Sequence, residues 1–269
     1  MSGHDRIAAA FAAVESEGRR AALMPYLMGG FPDPAASRAV GVACAEAGAD
    51  LLEVGIPYSD PLADGPVIHA AGSQALANGA TTTGVLDVAG ELAELVPVVV
   101  MCYANLIFAR GVERFCGDLA ARNISGLIVP DLPLEEGDPF LAACDANGLA
   151  LVPLVAPTTP DERLERIGAR AQGFVYTVSV LGTTGERGGV GDGVAGVLGR
   201  VRSRTNVPVA LGFGISTPEH AAAAAAAGAD GVIVGSRLVR AAAEAVERGE
   251  DPAAAVGAAV GGLAAALSG

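Results

Sequence analysis

VPVALGFGISTPEHAAAAAAAGADGVIVGSR, residues 207–237, holds a complete structural unit. An apolar β-branched run leads into a glycine turn, then an alanine helix, a second glycine turn and another apolar run. Neither run alternates apolar with polar residues, which is the pattern of strands covered on both faces. A strand, a helix and a second strand in that order make a parallel pair with a right-handed crossover.

The same unit recurs along the whole chain. Strands are expected at Leu23–Met28, Leu51–Val54, Val98–Cys102, Gly126–Val129, Leu149–Leu154, Gly173–Val178, Val207–Gly212 and Gly231–Val234. Helical stretches follow them, among them Ala35–Ala47, Val112–Arg122, Pro139–Asn147 and Pro218–Ala227. Eight such units in a single domain, residues 1–269, fit a (β/α)8 TIM barrel. An open doubly wound sheet is the alternative, because periodicity alone does not show closure. His4–Ser16 reads as an extra N-terminal helix that caps the barrel bottom, and Pro252–Leu267 as a last helix packed outside.

Strand starts recur about every 23–29 residues, but the second-to-third interval is about 47 and the sixth-to-seventh about 34. Extended loops are therefore expected after strands 2 and 6. In a barrel these lie at the carboxyl ends of strands, where active sites are built.

Composition excludes whole classes of chemistry. The formal net charge is −13, and all 17 basic residues are arginine. Without lysine there is no Schiff base and no P-loop lysine. Three scattered histidines, His4, His69 and His220, do not make a histidine-rich metal site. The acidic balance argues against nucleic acid. Glycine, 37 of 269 residues, is about twice its usual ~7 %, which suits many tight turns or a backbone-lined ligand site. Cys44, Cys102, Cys116 and Cys144 have neither metal nor redox spacing and read as buried, reduced thiols. With no secretory leader at the start, a cytoplasmic location is expected. Apolar runs such as Val96–Cys102 fall far short of the ~20 residues that span a bilayer.

Three loops carry chemistry. EVGIPYSDPLADGP, residues 53–66, follows strand 2 and holds Glu53, Asp60 and Asp64 between prolines. A carboxyl group in an apolar barrel mouth has its pKa raised and can donate a proton near neutrality, while a better solvated neighbour stays ionised. That division suits Glu53 as acid/base and Asp64 as the ionised partner; a strand-edge glutamate with turn-capping aspartates is the structural alternative. GFGIST, residues 212–217, and GVIVGSR, residues 231–237, open helices after strands 7 and 8, the recurrent phosphate site of such barrels. There Ser216 or Thr217 caps the next helix and Glu219 is placed for a capping box. SVLGTTGERGGVGDG, residues 179–193, follows strand 6 and reads either as a mobile lid or as a surface loop. Tyr103, Asn105, Asp131 and Tyr176 stand near strand tops, either lining the pocket or serving packing and capping.

EVGIPYSDPLADGP, CYANLIF at 102–108, PDLP at 130–133, TTGERG, GFGIS and GVIVGS, in this order at these strand ends, resemble the tryptophan synthase alpha chain family over nearly the whole chain. The resemblance implies a lyase of tryptophan biosynthesis that cleaves indole-3-glycerol phosphate by a retro-aldol reaction to indole and glyceraldehyde 3-phosphate. It matches Glu53 and Asp64 to the catalytic carboxyl groups. It matches Gly185, Gly214, Gly235 and Ser236 to phosphate binding, and Thr184 to the lid residue that meets the aspartate. Tyr176 falls near the reacting centre, and Tyr26, Tyr103 and Phe213 along the indole pocket. Val180 stands where some members carry arginine. No cofactor is expected in this chain; pyridoxal phosphate is expected in a beta partner chain, in an alpha2-beta2 heterotetramer. Pro57, Asp60, Asn105 and Pro133 match the contact surface. Another phosphosugar barrel enzyme, or an idle barrel that activates a partner, are the competing readings.

Overall fold

The computed structural model describes residues 1–178, 192–212 and 214–268. Among them are nine strands, all parallel: β1 Ala22–Met28, β2 Leu52–Gly55, β3 Val98–Met101, β4 Gly126–Ile128, β5 Ala150–Val152, β6 Leu154–Val155, β7 Val175–Val178, β8 Val209–Gly212 and β9 Gly231–Val234. They pair in the order β5-β4-β3-β2-β1-β9-β8-β7-β6. The first strand pairs with the last, Ala22 opposite Gly231, and the two ends of the ladder are consecutive pieces of chain. The sheet is therefore a ring, and the open doubly wound alternative falls.

The ring is broken at one residue for a chemical reason. The expected strand Leu149–Leu154 is split into β5 and β6 by Pro153, which has no N–H to give to a ladder. Its carbonyl still accepts from the Tyr176 amide at 2.9 Å. Eight barrel strands are thus counted as nine.

Residue parity sorts the side chains. In β2 and the residue before it, Leu51 belongs to the inner cluster of the barrel, while Leu52 and Val54 belong to the outer core beneath the helices. Glu53 therefore shares the inward face with Leu51, because side chains alternate along a strand. The inner cluster also holds Met24, Val99, Ile128, Val152, Phe174, Ala210 and Ile233.

Helix α1, Gly3–Ser16, starts with a capping box in which Ser2 and Asp5 satisfy each other's backbone N–H. Its Ile7 and Val14 are part of the inner barrel cluster, and the Phe11 ring lies 6.2 Å from that of Phe174. The helix is a plug in the amino-terminal mouth, as expected. Ile7 is fully buried. Truncating it to alanine should cost roughly 2–5 kcal/mol, because the barrel strands cannot collapse into the void. Urea unfolding of Ile7→Ala measures this; a loss below about 1 kcal/mol would contradict the plug.

The long second-to-third interval is not loop alone. Residues 56–65 form a ten-residue loop, after which come α3, Pro66–Ala77, and α4, Thr82–Leu92. The expected long loop is thus a shorter loop plus an extra helix, and α3 packs on β1. Helices α5, Ala104–Arg110, α6, Val112–Ala120, and α7, Asp138–Ala146, follow β3 and β4. Helices α8, Asp161–Gly168, and α9, Asp192–Arg202, flank β7. Helix α10, Pro218–Ala226, contains most of the alanine run, and α11, Ser236–Glu247, follows β9. Helix α12, Pro252–Leu267, packs outside against α2, Pro34–Glu46, and against α10 and α11. Of the loop expected at 179–193 after the sixth barrel strand, residues 179–191 lie outside the described residues, and Asp192 and Gly193 begin α9. All four cysteines are free and buried. No described helix is long and apolar enough to cross a membrane.

Candidate active site

At the carboxyl end of the barrel lies a cavity of about 530 Å³. Its wall includes Tyr26 from β1, Glu53 from β2, Asp64 from the loop after β2, Tyr176 from β7, Gly214 after β8, and Gly235 and Ser236 after β9. Seven residues that the sequence placed apart are brought to one surface. Ile68, Met101, Leu154 and Ile233 supply apolar wall between them.

Glu53 is the most unusual group in it. Its side chain is 1 % exposed, and neither carboxyl oxygen has a hydrogen-bond partner among the described residues. A buried carboxylate without a partner is expensive, so the proton is retained. Burial first, and the nearby Asp64 second, push its pKa up to about 8. Its strand neighbour in register is Tyr26. Burial also raises the Tyr26 phenol well above its ordinary range, with Asp64 and then Glu53 adding to the shift. The Tyr176 phenol is raised by burial and by Glu53. These hydroxyls stay protonated and face the cavity as neutral donors.

Asp64 sits in a different environment. It is half-buried, and its Oδ1 accepts from the Tyr103 hydroxyl at 2.9 Å. That hydroxyl in turn accepts from the Ala63 amide at 2.9 Å, so the loop holds the tyrosine that holds the aspartate. Burial raises the Asp64 pKa, while the Tyr103 hydrogen bond and the charge of His69 both favour its ionised form. One carboxyl group is kept neutral in a dry wall and the other is given partners for its charge, the arrangement that separates an acid from an anion.

Space for Tyr26 comes from Gly55. A Cβ there would stand 2.1 Å from the tyrosine hydroxyl, so any side chain would evict the ring. At the other end of the cavity Gly214 has φ +80°, a conformation that favours glycine. The helix starts differ. Thr217 caps α10 by accepting from the His220 amide at 3.3 Å, and the third helical position is then His220, so no Glu219 capping box forms. The first residues of α11 have no side-chain cap, leaving their N–H groups directed out of the helix end.

The remaining expected residues fall as follows. Tyr103 is fixed to Asp64, and its ring lies 5.3 Å from that of Tyr58. Asp131 is a turn cap, accepting from the Ala104 amide at 2.9 Å. Asn105 is exposed and donates to the Tyr58 hydroxyl at 3.0 Å; Asp60 and Pro133 are also exposed. Pro57 is buried within the chain, so it does not offer the surface expected of it. Thr184, Gly185, Phe213 and Val180 lie outside the described residues. Besides the apolar wall, the sequence reading missed two charged cavity residues, Arg237 and Arg240. Their signal was the three-residue spacing just inside a helix opened by Gly235.

A family model described as tryptophan synthase alpha chain matches residues 11–268. A tryptophan synthase alpha chain from Gloeobacter violaceus is 51 % identical over 242 residues, covering 89 % of this chain and 87 % of the relative. One from Prochlorococcus marinus is 49 % identical over 241 residues, covering 88 % and 86 %. Among solved structures, the alpha subunit from Legionella pneumophila superposes with a TM-score of 0.90 at 34 % identity, covering 99 % and 98 % of the two chains. A chain of Mycobacterium tuberculosis tryptophan synthase superposes with a TM-score of 0.88 at 39 % identity, covering 97 % and 98 %.

Proposed function

The chain belongs to the tryptophan synthase alpha chain family, and we propose that Glu53 and Asp64 perform its cleavage chemistry. The enzyme is a lyase that splits indole-3-glycerol phosphate and passes indole to a beta chain. One observation carries the residue assignment: an inward-facing glutamate with both oxygens buried and unpartnered, beside a cavity that also receives Asp64.

The chemistry follows from the two environments. Protonated Glu53 gives its proton to carbon 3 of the indole ring, which turns the ring into a leaving group. The carbon–carbon bond then breaks, its electron pair returning to the ring. A lone pair of the glycerol hydroxyl becomes the carbonyl of glyceraldehyde 3-phosphate, and the hydroxyl proton returns to the carboxylate of Glu53. Asp64, ionised, accepts the indole N–H and stabilises positive charge developing on the ring. Each such group is worth about 10²–10⁴-fold in rate. Tyr26 and Tyr176 shape the ring pocket, and Tyr103 holds Asp64.

The phosphate is assigned to Gly214, Gly235 and Ser236, where the positive end of α11 and its uncapped N–H groups favour an anion. A chain without lysine forms no imine, so the cleavage is assigned to carboxyl groups and no cofactor is assigned to this chain. Pyridoxal phosphate belongs, on this reading, to the beta chain. We read residues 1–269 as one barrel domain, working in the cytoplasm within an alpha2-beta2 heterotetramer. Asp60, Asn105 and Pro133 form its contact surface.

Purified chain incubated with indole-3-glycerol phosphate should release indole, and a beta chain should raise the rate. Indole is followed by its absorbance after extraction. No indole with or without the beta chain would overturn the reading.

A further inference from the structure

Arg237 and Arg240 stand three residues apart at the start of α11, on one face of the helix. Both line the cavity, at the end that Gly214, Ser216, Gly235 and Ser236 form. Arg237 is half-buried and Arg240 exposed. Most other arginines of the described residues are engaged: Arg19 with Asp50, Arg122 with Asp87, Arg163 with Glu135, Arg200 with Asp161, and Arg202 with Asp230. Neither Arg237 nor Arg240 has a side-chain partner among the described residues. Two uncommitted guanidinium groups thus sit at one end of a cavity whose other end holds two carboxyl groups, in a chain of net charge −13.

We infer that Arg237 and Arg240 bind the phosphate dianion of the substrate and make the enzyme select the phosphorylated indole-glycerol over its phosphate-free form. This rests on the reading of the cavity as the cleavage site for indole-3-glycerol phosphate. The physical argument is a charge argument. Backbone N–H groups and a helix end supply partial charges. A phosphate monoester carries close to two full negative charges at neutral pH, its second pKa being about 6. The surrounding acidic field opposes its entry. Guanidinium groups offer paired donors matched to phosphate oxygens, and the half-buried Arg237 is screened less by salt than Arg240.

The test is the double variant Arg237→Gln/Arg240→Gln against the unaltered chain. KM for indole-3-glycerol phosphate should rise about 10–100-fold, the usual worth of charge-assisted hydrogen bonds, with the loss falling on KM rather than kcat. Competitive inhibition by inorganic phosphate should weaken in parallel. Cleavage of phosphate-free indole-glycerol, measured as kcat/KM, should be the same in both proteins, so selectivity collapses. Arg237→Lys/Arg240→Lys should recover part of the affinity. If the double variant fails to fold, Arg240→Gln, altered at an exposed position, should still raise KM a few-fold and flatten its dependence on salt. Unchanged KM and unchanged phosphate inhibition in a chain that releases indole would overturn this inference alone. An unaltered chain that releases no indole would instead overturn the underlying reading.

Discussion

Replacing Glu53 by glutamine is expected to lower indole release about 10²–10⁴-fold and, at alkaline pH, to make the protein more stable. Both effects have one cause. The Glu53 side chain is buried without a partner, and burial raises its pKa from an ordinary 4.5 to about 8. Between those values the folded protein holds a proton that the unfolded chain has lost. The unfolded state then binds fewer protons, so stability falls as pH rises through this window, by about 1.4 kcal/mol per unit. Accumulated to pH 8, the cost is about 4 kcal/mol. Glutamine has nothing to ionise and escapes this cost. The gap in melting temperature between Glu53→Gln and the unaltered chain should therefore widen from pH 5 to pH 8. In the active enzyme the same proton is the catalytic one, so kcat/KM should fall above about pH 8. Parallel melting curves across this range, or retained turnover in the variant, would contradict the assignment.

Asp64→Asn should lower kcat about 10²-fold by removing the charge that stabilises the protonated ring, while leaving a side chain of the same shape against Tyr103. It should also move the pH profile of what remains. The Asp64 charge is the second cause of the raised Glu53 pKa, so its removal should shift the alkaline limb toward lower pH. The moved limb reports the Asp64 charge beside Glu53, and the loss in kcat reports its part in the reaction. The measurement is kcat/KM for indole release at pH 6 to 9 in both proteins. An unchanged kcat would remove Asp64 from the mechanism, and a limb that stays in place would contradict its charge acting on Glu53.

The barrel and most of the site were legible in the chain because both are written in local patterns. Apolar runs followed by glycine turns and alanine helices located all eight barrel strands, and the segment from the end of the second strand through its loop held both carboxyl groups. What escaped was decided by contacts or by single backbone atoms. Pro153 splits a strand because one N–H is missing, a detail that an apolar run from Leu149 to Leu154 conceals. The long interval after β2 could be counted but not read, since it holds an extra helix, α3, rather than loop alone. Thr217 rather than Ser216 caps α10, a choice of register between two adequate residues. Pro57 was expected on a surface and is buried, with Gly72 of α3 beside its ring.

By itself the sequence determined the strand–helix alternation of the fold, the order of its units, the absence of lysine chemistry and two candidate carboxyl groups for acid–base cleavage. These depend on residue type and spacing, which a chain carries before it folds. Only the tertiary structure decided that the sheet closes, β1 against β9, since closure joins residues some two hundred positions apart. It alone set the two carboxyl groups apart in character. Glu53 and Asp64 are chemically near-equal in the chain, and it is burial without partners for one, and a tyrosine hydroxyl for the other, that makes an acid and an anion of them. It also placed Arg237 and Arg240 on the cavity wall, which their positions in the chain do not by themselves announce.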